Sequence, residues 1–239
     1  MTTVGFLYPG HSAEDDYERF ELLVTEDVRL HLVHTDIGED AHRVDALIEM
    51  GSAARLAAGV EELRLSGAES VVWACTSGSF VYGWEGAREQ VRNLAKAAGM
   101  PASSTSFAFT NAIQYLGAEK VAVAATYPED VTGYFTAFLK AAGVEVVASR
   151  GRGIVTAEEV GAWGRDEVLE LALAGDHPSA DVVLLPDTAL HTAAYLRELE
   201  QVLGKPVLTA NQVSVWEGLR LTERRVWSDQ LGKLFARRA

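Results

Sequence analysis

Two residues of different chemistry occupy the same place in a repeated segment. Cys75 ends the apolar run Val71-Val72-Trp73-Ala74 and opens the small polar stretch Thr76-Ser77-Gly78-Ser79. Asp187 ends Val182-Val183-Leu184-Leu185-Pro186 and opens Thr188-Ala189. The two lie 112 residues apart, and flanking pieces recur in the same order: Val4-Gly5-Phe6-Leu7-Tyr8-Pro9 with Val123-Ala124-Ala125-Thr126-Tyr127-Pro128, and Gly99-Met100-Pro101 with Gly204-Lys205-Pro206. A run of this kind reads as a strand buried on both faces, and the polar residues after it as the turn into a helix. In a parallel sheet that edge is where ligands bind. Two such units packed about a pseudo-twofold axis would set Cys75 and Asp187 on opposite sides of one ligand.

Each residue suits proton or nucleophilic work there. Cys75 would serve as thiolate base, nucleophile or, protonated, proton donor. Backbone N–H groups and a helix dipole at its turn would favour the thiolate. The bland alternative is a small buried hydrophobe. Asp187 would be a general acid or base, or else the N-cap of a helix over Thr188–Leu203, a role worth about 1 kcal/mol. Tyr127, before Pro128, reads as a hydroxyl donor or as an aromatic packed on the sheet. The histidines show no HxH or HExxH spacing: His31 and His34 share a strand, and His11, His42, His177 and His191 fall in turns or helix starts. No metal site is expected from them. The glycines around Gly78 and Gly83 form no Walker or dinucleotide fingerprint.

The elements that must position these groups alternate. Strands are expected over Val4–Tyr8, Val28–His34, Ser70–Cys75, Val121–Thr126, Val144–Ser149, Asp181–Pro186 and Pro206–Ala210. Helices are expected over Ala13–Val24, Val44–Leu65, Gly83–Ala98, Ser104–Leu116, Pro128–Ala142, Ala157–Ala174, Ala189–Leu203, Asn211–Leu219 and Ser228–Ala236. Alternation implies parallel pairing and an α/β fold of two pseudo-symmetric halves, each a short parallel sheet flanked by helices, with the site in the cleft between them. The expected division is 1–116, carrying Cys75 and completed by the C-terminal helix, and 117–239, carrying Tyr127 and Asp187. The crossover is near Gly117–Lys120.

At 239 residues the chain can bury a core without staples. A net charge of −13 argues against nucleic acid, since Arg224-Arg225 and Arg237-Arg238 are its nearest basic clusters. No apolar stretch approaches the ~18–20 residues of a membrane span. Met1-Thr2-Thr3 runs directly into a strand without a basic leader, and the single unpaired cysteine fits a reducing compartment, so a cytoplasmic location is expected.

The opening Gly5-Phe6-Leu7-Tyr8-Pro9, the block Cys75-Thr76-Ser77-Gly78-Ser79-Phe80, Ala124-Ala125-Thr126-Tyr127, Gly204-Lys205-Pro206-Val207 and the closing Leu231-Gly232-Lys233-Leu234-Phe235 carry a resemblance running nearly end to end. The chain resembles the aspartate/glutamate racemase superfamily, most of all the branch of arylmalonate decarboxylase and maleate cis–trans isomerase. The resemblance implies cofactor-free chemistry at a carbon beside a carboxylate. In the racemases and the isomerase two cysteines flank the substrate; in the decarboxylase only the second is present. This chain keeps the first-half cysteine, Cys75, and has Asp187 where the second would be. The resemblance implies a carboxylate pocket of Thr76, Ser77, Tyr127 and the backbone at Thr188 and Ala189, with Ser12 standing where the isomerase has an asparagine and Thr156 lying near another.

The expected function is a cofactor-independent isomerase, of cis–trans isomerase or racemase type, acting on a small carboxylate or dicarboxylate through an enediolate or cysteine adduct. The alternatives are a decarboxylase of substituted malonates and a non-catalytic carboxylate-binding relative. The expected partner is the small acid alone, with neither nucleic acid nor membrane, and association into a homo-oligomer is left open.

Overall fold

A computed structural model describes residues 1–24 and 27–237. In chain order it comprises β1 (Thr2–Pro9), α1 (Asp15–Leu23), β2 (Val28–Thr35), α2 (Val44–Met50), α3 (Ala53–Leu65), β3 (Ser70–Trp73), α4 (Ser77–Phe80), α5 (Gly83–Ala98), β4 (Ala102–Ser104) and α6 (Thr105–Leu116). There follow β5 (Lys120–Ala125), α7 (Glu129–Ala141), β6 (Glu145–Gly151), α8 (Ala157–Gly161), α9 (Arg165–Gly175), β7 (Val182–Leu185), α10 (Leu196–Leu203), β8 (Val207–Thr209) and α11 (Ala210–Leu221), then a 3₁₀ turn over Lys233–Phe235.

The strands form two four-stranded sheets, β2-β1-β3-β4 and β6-β5-β7-β8, and every pairing is parallel. The strand order is the same in both, as the repeated segments imply. β3 and β7 are central and buried along their whole length, which is why Val71–Trp73 and Val182–Leu185 are apolar without alternation. Their C-terminal ends point the same functional way, toward the loops that carry Cys75 and Asp187. Helix α11 returns from the second sheet to pack on β1, β3, β4 and α6. Gly218 permits that approach, since a Cβ there would lie 2.2 Å from the Val4 side chain. Left-handed glycines close three helices: Gly99, Gly117 and Gly204, at φ 67°, 70° and 67°.

Several expected helices are shorter or divided, each for a tertiary reason. The one over Val44–Leu65 breaks at Gly51-Ser52, where the chain presses on the loop after Cys75. The Gln90 side chain donates from Nε2 to the carbonyls of both Gly51 and Gly78, at 2.8 Å each. A Cβ on Gly51 would lie 2.2 Å from the Gly78 carbonyl oxygen. Gly51→Ala is therefore expected to lower stability by about 1–3 kcal/mol, read as a drop in melting temperature, because backbone rather than a flexible side chain must yield.

The helix over Ala157–Ala174 divides into α8 and α9 around Gly164. That over Ala189–Leu203 begins only at Leu196. Its expected first turn is diverted because the N–H groups of Thr192 and Ala193 donate to Asp16 of α1, at 2.7 and 3.2 Å. The segment Ser228–Ala236 holds only the 3₁₀ turn. Of the basic residues near the C-terminus, Arg224 pairs with Asp27 and Arg238 lies outside the described residues. No helix among the described residues is long and apolar enough to cross a membrane.

Candidate active site

Cys75 lies two residues beyond the end of β3 and is 3% exposed. Its Sγ accepts a hydrogen bond from the Gly78 N–H at 3.3 Å, with the Ser77 hydroxyl and the Met50 sulfur each at 3.8 Å. The amide donors expected at this turn are thus present, but they do not decide the protonation state. Burial pushes the Cys75 thiol up to about 11, with the negative charge of Asp187 adding to the effect. The expected resting thiolate is replaced by a thiol, because α4 is a single turn and its N–H groups do not offset the loss of water.

This carries a pH signature. Folding raises the group from 9.0 to about 11, so its contribution to stability is whole below 9.0 and lost as pH rises through that window. The loss amounts to about 3 kcal/mol. Cys75→Ala is expected to lose less stability than the parent across the same interval, measured by urea unfolding at each pH.

Asp187, at the end of β7, is 4% exposed. Its Oδ2 accepts a short hydrogen bond from the Thr126 hydroxyl, and its Oδ1 accepts from the Ala189 N–H at 2.9 Å. It does not cap a helix over Thr188–Leu203, since α10 starts nine residues further on; it closes a tight turn instead. Its charge acts on Cys75, Tyr8 and Tyr127, discouraging each from losing its proton. The thiol, the carboxylate and both tyrosines therefore share one buried neighbourhood.

The hydroxyls expected around them are there, with differing freedom. The Thr76 Oγ is buried and has no hydrogen-bond partner among the described residues, a state that a ligand oxygen would relieve. The Tyr127 hydroxyl, beside Thr76 and Ser77, donates to the Pro186 carbonyl at 3.0 Å. Tyr8, its counterpart in the first half, donates to the Thr188 carbonyl at 2.9 Å and accepts from the Ala13 N–H at 3.0 Å. Ser12 Oγ sits 2.7 Å from the Tyr8 hydroxyl. The Ala189 N–H is taken by Asp187, and the Thr188 carbonyl by Tyr8 and Asn211, which reduces what this backbone offers a ligand. Thr156 caps α8, accepting from the Glu159 N–H at 3.3 Å. Phe80 packs on Tyr127 with ring centroids 5.9 Å apart, whereas Trp84 packs on Phe107 and Phe138.

Three features had no signal in the sequence patterns. Asp16 is buried against the loop after Asp187, accepting from Thr192, Ala193 and Asn211, and burial raises its pKa. His42 packs edge-on to Tyr127, centroids 4.9 Å apart. His11, Glu14 and His34 gather near Ser12 with ligand atoms within 4.8 Å of one another, a group that could hold a divalent cation although no motif spacing announces it. His11 and His34 are exposed, and the His11 Nδ1 lies 3.0 Å from Glu14.

The sequence model of the arylmalonate decarboxylase family matches residues 49–235. The chain is 29% identical over 130 residues to the arylmalonate decarboxylase of Bordetella bronchiseptica, covering 54% of each chain. It is 27% identical over 137 residues to the maleate isomerase of Geobacillus stearothermophilus, covering 57% of this chain and 55% of that one. The matched stretches thus span about half the length of both relatives. A mutant of the Nocardia farcinica maleate cis–trans isomerase, solved with a covalently bound succinylcysteine intermediate, superposes with a TM-score of 0.85 at 18% identity, over 100% of this chain and 99% of that one. The twin parallel sheets are accordingly the architecture these proteins share, and the chain belongs to the arylmalonate decarboxylase family.

Proposed function

We propose that the protein is a cofactor-independent isomerase of a small dicarboxylate, working by covalent addition of Cys75. The observation that carries this reading is the burial of one thiol and one carboxylate at equivalent strand ends of the two sheets, beside the unpaired Thr76 hydroxyl. One substrate carboxylate rests on Thr76, Ser77 and the Tyr127 hydroxyl, with Ser12 and the backbone at Thr188 and Ala189 completing the wall. Hydroxyl donors in a water-poor pocket stabilise charge that develops on that carboxylate.

The steps balance. Sγ forms a bond to one alkene carbon of a maleate-type substrate as the thiol proton passes to the Asp187 carboxylate. The π pair moves onto the adjacent carbon as an enediolate, which takes the proton back from Asp187. The resulting succinyl thioether rotates about its central single bond. Asp187 then removes the proton from the same carbon, the C–S bond breaks, and the trans alkene leaves with the proton restored to sulfur. The succinylcysteine described for the N. farcinica isomerase is an intermediate of this kind. Racemisation uses the same two groups on opposite faces of one carbon.

A second reading is favoured by the raised thiol pKa. A protonated Cys75 is a proton donor in waiting, and decarboxylation of a substituted malonate needs one to quench the enediolate left by carbon dioxide. The unpaired thiol supports a reducing, cytoplasmic setting for either enzyme. Proton NMR in D₂O separates the two. Fumarate from maleate, absent with Cys75→Ser, supports the isomerase. A deuterated monoacid from an arylmalonate supports the decarboxylase, and no turnover of either acid rejects both.

A further inference from the structure

His42 reaches the site from the segment joining β2 to α2, and that segment is pinned across the second half. Asp40 accepts from the N–H groups of Ala157 and Glu158, at 2.7 and 3.0 Å, and the His42 N–H donates to the Val155 carbonyl at 2.7 Å. The side chain is fixed as firmly. Its Nδ1 lies 2.9 Å from the Ile154 carbonyl, and since a carbonyl only accepts, Nδ1 carries a hydrogen. The ring stands edge-on against Tyr127 at 80°, and the residue is only 8% exposed. Its other nitrogen, Nε2, has no hydrogen-bond partner among the described residues. In the neutral ring that nitrogen is a bare lone pair, on a ring packed edge-on against Tyr127 of the hydroxyl pocket.

The charges of the site show what it could receive. Cys75, Thr76, Ser77 and Tyr127 bring no positive charge, and Asp187 is an acid. A dianion entering this neighbourhood lacks a counter-charge unless the imidazole takes a proton. Around His42 itself, Asp40 is committed to α8, and Arg43 is exposed and paired with Glu39 and Asp45. Tyr127 is the titratable side chain in ring contact with it, held protonated by burial.

We propose that His42 is the specificity-determining residue of the site: its Nε2, protonated as the ligand enters, holds the second carboxylate of a dicarboxylate whose first lies on Thr76, Ser77 and Tyr127. An aryl ring in that place would leave Nε2 buried and unpaired, so the residue selects against aryl substituents as well as for a dianion. This deepens the isomerase reading and rests on its carboxylate pocket.

The probes are succinate, which has no double bond to react, and butyrate, which has one carboxylate fewer, titrated calorimetrically into the full-length protein. His42→Asn keeps an amide N–H where Nδ1 lies and so keeps the tie to Ile154, but removes Nε2. His42→Gln restores a donor near the Nε2 position. Succinate affinity should fall about tenfold or more in His42→Asn and recover in part in His42→Gln, while butyrate affinity stays within about twofold. In the unmutated protein, the ¹⁵N signal of His42 Nε2 should move from unprotonated to protonated when succinate binds. An unmoved signal, or equal effects of His42→Asn on the two acids, overturns the proposal even if the variant folds poorly. Failure of the unmutated protein to bind either acid overturns the carboxylate pocket and this inference with it. Isomerisation of maleate with a KM indifferent to His42 overturns this inference alone.

Discussion

Cys75→Ser is expected to lower maleate turnover by at least about a thousandfold, since a hydroxyl replaces the group that must add to carbon and then leave it. The substitution is close to isosteric, and the Gly78 N–H that now points at sulfur can point at oxygen, so the fold should persist. Succinate binding should persist too, because the hydroxyl pocket is untouched. That combination, intact binding with kcat lost, is the signature of a reacting group rather than a packing one. Turnover surviving within tenfold, measured by fumarate formation, would return Cys75 to the buried hydrophobes.

Asp187→Asn is expected to lower kcat by about 10²–10⁴ while changing stability by no more than about 1 kcal/mol. The reason lies in its two partners. An asparagine Oδ1 can accept from the Ala189 N–H, and its Nδ2 can donate to a Thr126 hydroxyl that turns to accept. The tight turn is then preserved and only proton transfer is lost. A purely structural Asp187 would keep the rate in Asp187→Asn, since both of its hydrogen bonds can be made by the amide. Denaturation and steady-state kinetics on the same preparation decide between them.

The legible part of this protein was the part set by local pattern. Val71–Trp73 and Val182–Leu185 announce central strands because both faces are buried, and their repetition puts Cys75 and Asp187 at equivalent positions. Contacts distant in sequence left no such trace. The start of α10 at Leu196 depends on Asp16, which captures N–H groups 176 residues away before they can enter a helix. His42 lies in a stretch without periodicity, and its place is set by a carbonyl 112 residues on. The state of Cys75 was misjudged for a related reason: a turn motif shows which amides are near, but not how thoroughly water is excluded.

In the proposed mechanism the pairing of Cys75 with Asp187 also gives the site a handedness in time. A carboxyl proton is shed to solvent far more readily than that of a thiol held near 11. A racemase with twin cysteines treats the two faces of its substrate alike, and isotope from the solvent enters both enantiomers at comparable rates. Here the two sheets share one strand order while the groups beyond β3 and β7 differ, a thiol in one half and a carboxylate in the other. In the proposed mechanism the carbon-bound proton comes only through Asp187, so solvent deuterium should enter the product from the Asp187 face, the half that carries β7.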